Sequence, residues 1–121
     1  MQKINGTTIM LNRGDVLNLT LSLTDGSEPY TFQIGDEIIF SIYNKNGLNN
    51  EPVLTKLIEV NESSDTLTIS LTSEETKIGE YLNKPIDYWY EVELNGKYTV
   101  IGYDENGAKI LRLYPEGYQE W

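Results

Sequence analysis

The sequence predicts an all-β domain, and three observations support this prediction. Short runs of alternating apolar and polar residues occur along most of the chain, which is the pattern of strands with one buried and one solvated face. Asn, Gly, Asp and Ser residues, which favour turns, separate these runs. Helical periodicity is nearly absent. We therefore expect an immunoglobulin-like antiparallel β-sandwich of about seven or eight strands with one short helical turn.

A chain of 121 residues is long enough for one domain and too short for a second independent core. We expect a single β-sandwich domain over residues 1–121. Within it, residues 1–11 are a possible docking arm or first strand, and residues 115–121 form a short C-terminal tail. No apolar run approaches the roughly 20 residues that a membrane-spanning helix needs, and the N-terminus lacks a secretory signal.

Five strands are predicted in the first part of the chain, at residues 8–11, 16–23, 37–43, 53–60 and 66–71. Apolar and polar residues alternate in most of them, and the strand at 53–60 is less regular. In strand 16–23 the residues that share one face are Leu17, Leu19, Leu21 and Leu23. In strand 37–43 Ile38, Phe40 and Ile42 share one face and Ile39, Ser41 and Tyr43 the other, so at least one side needs cover.

The one predicted helical turn follows at Thr72. The sequence Thr72-Ser73-Glu74-Glu75 has the Thr-x-x-Glu form of a capping box. In that motif the Thr72 hydroxyl accepts a hydrogen bond from the Glu75 amide, and the Glu75 carboxylate accepts one from the Thr72 amide.

The strongest alternation in the chain predicts a strand at residues 86–94. Asn95-Gly96 follows at once and predicts a tight hairpin, because both residues tolerate the positive φ of a type I′ turn. The return strand is predicted at residues 97–103 and the last strand at 108–114. In strand 86–94 the inward residues are Ile86, Tyr88, Tyr90, Val92 and Leu94, and the outward residues are Asp87, Trp89, Glu91 and Glu93.

Charge and composition exclude several functions. The chain has no His, no Cys and a net charge of −10. Without imidazole and thiol groups the usual zinc sites and nucleophilic triads cannot form, and an acidic surface repels phosphate backbones and anionic membranes. We therefore expect no enzymatic activity, no catalytic residue, no cofactor, no metal, and no nucleic-acid or membrane partner.

Two acidic motifs resemble a metal site and a catalytic carboxylate pair, but structural roles explain both better. Asp104-Glu105-Asn106-Gly107 resembles part of a calcium loop, but the oxygen ligands that should follow are missing, so a hairpin turn explains it better. Glu91 and Glu93 lie on one strand, whereas glycosidases bring their two carboxylates from opposite walls of a cleft. The tripeptide Arg13-Gly14-Asp15 has the sequence of an integrin-binding motif, but we interpret it as a turn before a strand.

Aromatic residues are the best candidates for an interaction site. Nine Tyr and two Trp outnumber two Phe, and Tyr and Trp suit surfaces that are partly buried and partly wet. Three alternatives are open for Trp89: a neighbouring strand or the tail covers it, it anchors a protein interface, or it stacks on a sugar ring. The predicted interface residues are Trp89, Tyr98, Tyr103, Tyr118 and Trp121.

Several segments resemble small β-sandwich virion proteins of bacteriophages that infect Gram-positive bacteria, especially the N-terminal domain of the baseplate upper protein family. The similarity extends over roughly residues 12–117. The segments that carry it are Arg13-Gly14-Asp15-Val16-Leu17-Asn18-Leu19-Thr20-Leu21, Gly35-Asp36-Glu37-Ile38-Ile39-Phe40-Ser41-Ile42, Asp65-Thr66-Leu67-Thr68-Ile69-Ser70-Leu71-Thr72-Ser73-Glu74-Glu75-Thr76, Tyr88-Trp89-Tyr90-Glu91-Val92-Glu93-Leu94-Asn95-Gly96, Thr99-Val100-Ile101-Gly102-Tyr103-Asp104 and Leu113-Tyr114-Pro115-Glu116-Gly117.

This resemblance implies a non-enzymatic phage virion protein, made in the host cytoplasm and located in the virion. Longer family members continue into receptor-binding regions, so we expect this chain to be an accessory subunit instead. It would dock on the capsid exterior as a decoration protein, or on the tail or baseplate. Its partners would be other virion proteins, and copies of itself are a further candidate partner. The alternative is a carbohydrate-binding β-sandwich module that uses exposed aromatic residues.

Overall fold

The computed structural model describes residues 2–45, 51–79, 83–102 and 104–118, and it confirms the all-β prediction. Eleven strands form and none of the described residues is helical; within these ranges no helix is long and apolar enough to cross a membrane. The strands are β1 (Gln2–Asn5), β2 (Thr8–Asn12), β3 (Leu17–Leu21), β4 (Leu23–Asp25), β5 (Glu28–Tyr30), β6 (Glu37–Asn44), β7 (Leu54–Glu59), β8 (Leu67–Leu71), β9 (Ile86–Leu94), β10 (Tyr98–Ile101) and β11 (Lys109–Tyr114).

The structure has more strands than the sequence predicted, for two reasons. The strand predicted at residues 16–23 divides at Ser22 into β3 and β4, and β4 forms its own hairpin with β5. The N-terminal stretch forms two strands, β1 and β2, joined by a turn at Gly6 and Thr7.

The larger sheet has seven strands in the order β1-β2-β11-β9-β6-β7, with β10 beside the end of β9. Strand β9 is its central member. One of its edges pairs with β6 from Ile38↔Leu94 to Asn44↔Tyr88, and the other pairs first with β11 and then with β10. All pairs in this sheet are antiparallel except β2 and β11, which are parallel.

Strands β3 and β8 form a second, two-stranded sheet that packs on one face of the larger sheet. We call this covered side the inner face and the opposite side the outer face. The residues buried between the two layers come from alternate positions of their strands, and they include Ile9, Leu11, Leu17, Leu21, Ile38, Phe40, Ile42, Ile69, Leu71, Tyr88, Tyr90, Val92, Leu94, Leu111 and Leu113. The β-sandwich is thereby shown, whereas the immunoglobulin-like arrangement stays a prediction.

The capping box forms as predicted. Glu75 N donates to Thr72 Oγ1 at 3.2 Å, and Thr72 N donates to Glu75 Oε1 at 2.9 Å. A single bond from Thr76 N to Thr72 O, 3.1 Å long, closes the turn. The bond from Thr72 N, followed by that from Lys56 Nζ, holds the pKa of Glu75 below its usual value. The segment is an isolated turn, since no helix continues from it.

Thr76 connects this turn to the turn between β2 and β3. Its side chain is fully buried, with an exposed fraction of 0%. The hydroxyl accepts a bond from Gly14 N at 3.1 Å and donates to Asp15 O at 2.7 Å. Gly14 has a φ of 89°, which an L side chain rarely adopts. One hydroxyl therefore bonds to two backbone groups of a turn whose conformation requires glycine at position 14.

Arg13 makes the second connection at the same place. Its guanidinium donates to Ile78 O at 3.1 Å and to Gly79 O at 2.8 Å, and it forms an ion pair with Glu116. The side chain of Arg13 is only 13% exposed. The structure confirms the turn interpretation of residues 13–15, because Asp15 N donates to Asn12 O at 3.1 Å.

We expect Thr76→Val to lower the free energy of unfolding by about 2–3 kcal/mol, because the Gly14 amide and the Asp15 carbonyl lose their partner in a buried place. The matched variant Thr76→Ser keeps the hydroxyl, loses one methyl group, and should cost only about 1 kcal/mol. Urea unfolding of the three proteins measures both values. A Thr76→Val protein as stable as Thr76→Ser would contradict this role for the hydroxyl.

Candidate interaction surfaces

The predicted interface residues do not form one surface. Trp89 and Tyr118 lie on the outer face of the larger sheet, whereas Tyr98 lies on the inner face, beside a groove. The register shows this division, because Tyr98 pairs with Leu94, which belongs to the core. Tyr103 and Trp121 lie outside the described residues.

Trp89 occupies the middle of the outer face. Its neighbours in β9, Tyr88 and Tyr90, are buried in the core, so the alternation of the strand directs Trp89 outward. The register places Trp89 opposite Tyr43 of β6 on one side and Ile110 of β11 on the other. Side chains at such directly opposed positions are neighbours. Trp89 is partly buried, and Tyr43 is only 8% exposed.

An ion pair fixes the next row of the outer face. Arg112 Nε lies 2.8 Å from Asp87 Oδ1, and Arg112 Nη2 lies 3.2 Å from Asp87 Oδ2. The paired carboxylate raises the pKa of Arg112. Met10 of β2 lies opposite Arg112 on the other side. The two-bond geometry holds the guanidinium in the plane of the carboxylate.

Two tyrosines complete this end of the outer face. The rings of Tyr114 and Tyr118 stack with their centroids 4.7 Å apart and an angle of 29° between their planes. Asn12 holds the segment that carries Tyr118, because its Nδ2 donates to Tyr118 O at 2.7 Å. Tyr118 is therefore fixed on the sheet by the end of β2.

The other end of the outer face is acidic. Glu91 accepts a hydrogen bond from Tyr43 Oη at 2.9 Å, and burial, followed by this bond, raises the pKa of Tyr43. Glu37 and Glu59 lie directly opposite each other, an arrangement that is destabilising for like charges. Within the described residues neither of them, nor Glu93, forms an ion pair.

The second surface is a groove of about 750 Å³ between the β4–β5 hairpin and β10. Tyr98 borders it and is 63% exposed, more than any other described aromatic side chain. The groove lies where the inner face extends beyond the cover of β3 and β8. The residues that line it are Ser22, Leu23, Thr24, Asp25, Tyr30, Leu94, Asn95, Tyr98, Thr99, Val100 and Ile101.

A hydrogen-bond network around Asp36 links Tyr30 and Asn95, two residues that line the groove. Tyr30 Oη donates to Asp36 Oδ2 at 2.6 Å, Gln33 N donates to the same oxygen at 3.0 Å, and Asn95 Nδ2 donates to Asp36 Oδ1 at 3.1 Å. The bond from Gln33, followed by that from Tyr30, lowers the pKa of Asp36, and the carboxylate raises the pKa of Tyr30 to about 12. Asn95 also accepts from Glu37 N at 2.7 Å.

The Asn95-Gly96 turn has the backbone that the sequence predicts. The φ angles of the two residues are 56° and 65°. Asn95 thus has two roles, since it adopts the positive φ of the hairpin and its side chain bonds to the start of β6.

Asp104 lies in a hairpin turn, and both of its carboxylate oxygens bond to groups in or next to that turn. Its Oδ1 accepts from Asn106 N at 2.8 Å, and its Oδ2 lies 2.7 Å from Lys109 Nζ. These two bonds lower the pKa of Asp104. The structure therefore confirms the turn interpretation of this motif. In the part of the chain that the structure describes, no group of three or more His, Cys, Asp and Glu residues is placed to hold a metal ion.

Known proteins add no assignment to either surface. No family model, no curated protein and no solved structure matches this chain. The chemistry of the two surfaces is therefore the basis for proposing a function.

Sequence reasoning found Tyr98 but missed the groove beside it. The two walls are about 70 residues apart in the chain, and β-strand alternation gives the face of a residue without its neighbours across the fold. The turn-forming pair Asp25-Gly26 lies at the tip of the β4–β5 hairpin, where Asp25 pairs with Glu28, but it does not indicate what the hairpin packs beside.

We expect the Asp36 carboxylate to stabilise the protein at neutral pH and to lose this effect in acid. Because its pKa is lowered on folding, its contribution is complete above the ordinary Asp value of about 4 and disappears as the pH falls through the lowered value. Asp36→Asn should therefore lower the free energy of unfolding by about 1–2 kcal/mol at pH 7 and by less near pH 2.5.

Urea unfolding at the two pH values measures this difference. The control is Glu105→Gln, which removes one charge from an exposed turn residue. If Asp36→Asn costs the same free energy at both pH values, the carboxylate does not act through its charge.

Proposed function

We propose that this protein is a non-enzymatic structural subunit that docks onto a larger protein assembly through the outer face of its seven-stranded sheet. One observation carries the proposal: no described strand covers this face, and it concentrates Trp, Tyr, Met and Arg side chains. The residues of this docking face are Met10, Trp89, Ile110, Arg112, Tyr114 and Tyr118.

These residue types contribute most to binding free energy in protein interfaces. Trp, Tyr and Arg are enriched among hot-spot residues, and Met is enriched at interfaces in general. On the docking face they are held in place before binding, by the Arg112–Asp87 pair and by the Tyr114–Tyr118 stack. A rigid sheet that presents fixed side chains loses little conformational entropy when it binds.

Charge indicates the kind of partner. The protein has a net charge of −10, and Glu37, Glu59 and Glu93 lie without ion pairs among the described residues at one end of the outer face. A partner surface with Lys and Arg residues would relieve the repulsion between Glu37 and Glu59. It would also speed association through electrostatic attraction. We therefore propose a basic protein surface as the partner.

The resemblance over residues 12–117 supports a phage particle as the assembly, with docking on the capsid exterior or on the tail or baseplate. Each of these is a lattice or ring with many equivalent sites. An interface of about 800 Å² per partner is then sufficient for stable attachment. If neighbouring subunits also contact one another, the many copies bind together and the overall avidity exceeds the affinity of one site.

Light scattering of the purified protein, alone and mixed with assembled capsids or with tail components, tests this proposal. We expect binding to one of the two, with an affinity that falls as salt is raised, because exposed charge pairs are screened. Binding to capsids alone would make the protein a decoration subunit, and binding to tail parts alone would make it a baseplate subunit. Binding to neither, together with absence from mass spectra of intact virions, would refute the proposal.

Variants locate the interface. We expect Trp89→Ala and Tyr118→Ala each to weaken binding about 30-fold or more, which corresponds to about 2 kcal/mol for a hot-spot residue. Glu93→Gln should reduce the salt dependence, whereas Glu62→Gln, an exposed residue on another segment, should not. Ile34→Ala is the control for loss of apolar surface, because Ile34 is 75% exposed and lies away from the docking face. Equal effects of Ile34→Ala and Trp89→Ala would argue against this interface.

A further inference from the structure

We propose that the groove between the β4–β5 hairpin and β10 binds a neutral carbohydrate, with Tyr98 as the stacking platform and Asp25 as the acceptor for sugar hydroxyl groups. This site is independent of the docking face, because it lies on the opposite side of the larger sheet. It also differs from the sugar site that the sequence suggested, which was placed at Trp89.

The size and construction of the groove suit a small ligand. Its volume of about 750 Å³ is within the range of about 300–1,000 Å³ that ligand sites usually have. One wall comes from the β4–β5 hairpin and the other from β10, so the site lies between two structural layers. The bonds of Asp36 with Tyr30 and Asn95 tie both walls to the start of β6.

Tyr98 offers the apolar contact that a sugar ring needs. Its ring is 63% exposed, and it lies on the inner face at the edge of the groove. The face of an aromatic ring is electron-rich, so it attracts the weakly positive C–H groups of a pyranose ring. A bound sugar would cover a ring that otherwise remains in water.

Asp25 offers the polar contact. It shares one face of β4 with Leu23, which packs against the core, so its carboxylate is on the groove side of the strand. An ionised carboxylate accepts hydrogen bonds through two oxygens, which matches two adjacent hydroxyl groups. Ser22 and Thr24 also border the groove. Among the described residues, none of these three polar side chains has a hydrogen-bonding or ion-pair partner.

Charge and backbone geometry disfavour two other classes of ligand, anionic molecules and peptide strands. Asp25 at the groove and the net charge of −10 disfavour phosphorylated and other anionic ligands. An added peptide strand would need a regular free edge, but β10 has only four residues and its pairing with β9 is interrupted between Thr99 and Ile101. Such irregularities protect strand edges from further pairing.

A glycan array of neutral and sialylated oligosaccharides, followed by NMR titration of the ¹⁵N-labelled protein with the best neutral glycan, tests the proposal. We expect a neutral glycan to bind and to shift the amide signals of residues 22–25 and 98–101. Maltotriose, cellotriose and chitotriose are among the neutral glycans on the array, and each is also titrated in solution as a free oligosaccharide. Absence of any neutral glycan that shifts these signals would overturn the proposal, and so would shifts confined to the strand that carries Trp89.

Variants separate the two contacts. Tyr98→Ala should weaken binding at least tenfold, whereas Tyr98→Phe keeps the ring and should stay within about threefold. Asp25→Asn should also weaken binding, and Val16→Ala, an exposed residue outside the groove, should not. Circular dichroism checks that each variant folds. If Tyr98→Ala binds like the unaltered protein, the stacking role is wrong. Because these assays use the isolated protein, their failure is distinguishable from a failure of docking.

Discussion

The position of β9 at the centre of the larger sheet is the constraint on which the rest of the structure depends. Both edges of this nine-residue strand are hydrogen-bonded to neighbours. Its inner residues, Tyr88 to Leu94 at alternate positions, supply much of the core. A slip of one residue would exchange the two faces and expose the core residues, so the register is strongly specified. The same register puts Trp89 and the acidic residues on the outer face.

The small sheet depends on the large one for its stability. An isolated pair of strands such as β3 and β8 is marginal in water, and it becomes stable by burying residues such as Leu17, Ile69 and Leu71 against a larger surface. Polar side chains then tie the layers together at their margins. The side-chain amide of Gln2 in β1 donates from Nε2 to Asn18 O at 2.7 Å, and its Oε1 accepts from Asn18 N at 2.8 Å. These two bonds satisfy the backbone of β3 at Asn18 in the way that a neighbouring strand would.

The two proposed surfaces are compatible with each other because the sheet separates them. The docking face is on the outer side, whereas the groove opens on the inner side beyond β3 and β8. A subunit fixed to a particle through its outer face would keep the groove accessible. In that arrangement, many copies on one particle would each present a weak sugar site, and together they would bind a glycan-coated surface with high avidity.

Local pattern determined much of this protein. Alternation identified β6, β8 and β9 and the buried residues of β9 from Tyr88 to Leu94, although Ile86, predicted to face inward, is 37% exposed at the strand's start. The motifs at Thr72 and Asn95-Gly96 identified two turns in detail. These features depend on residues close in sequence, whose geometry is set by local sterics and hydrogen bonding. Only the tertiary structure decided that β2 pairs with β11, that Trp89 and Tyr98 lie on opposite sides, and that Asp25 and Tyr98 border one groove. Those facts depend on which strands pair across long separations, and a period of two residues carries no information about the partner strand.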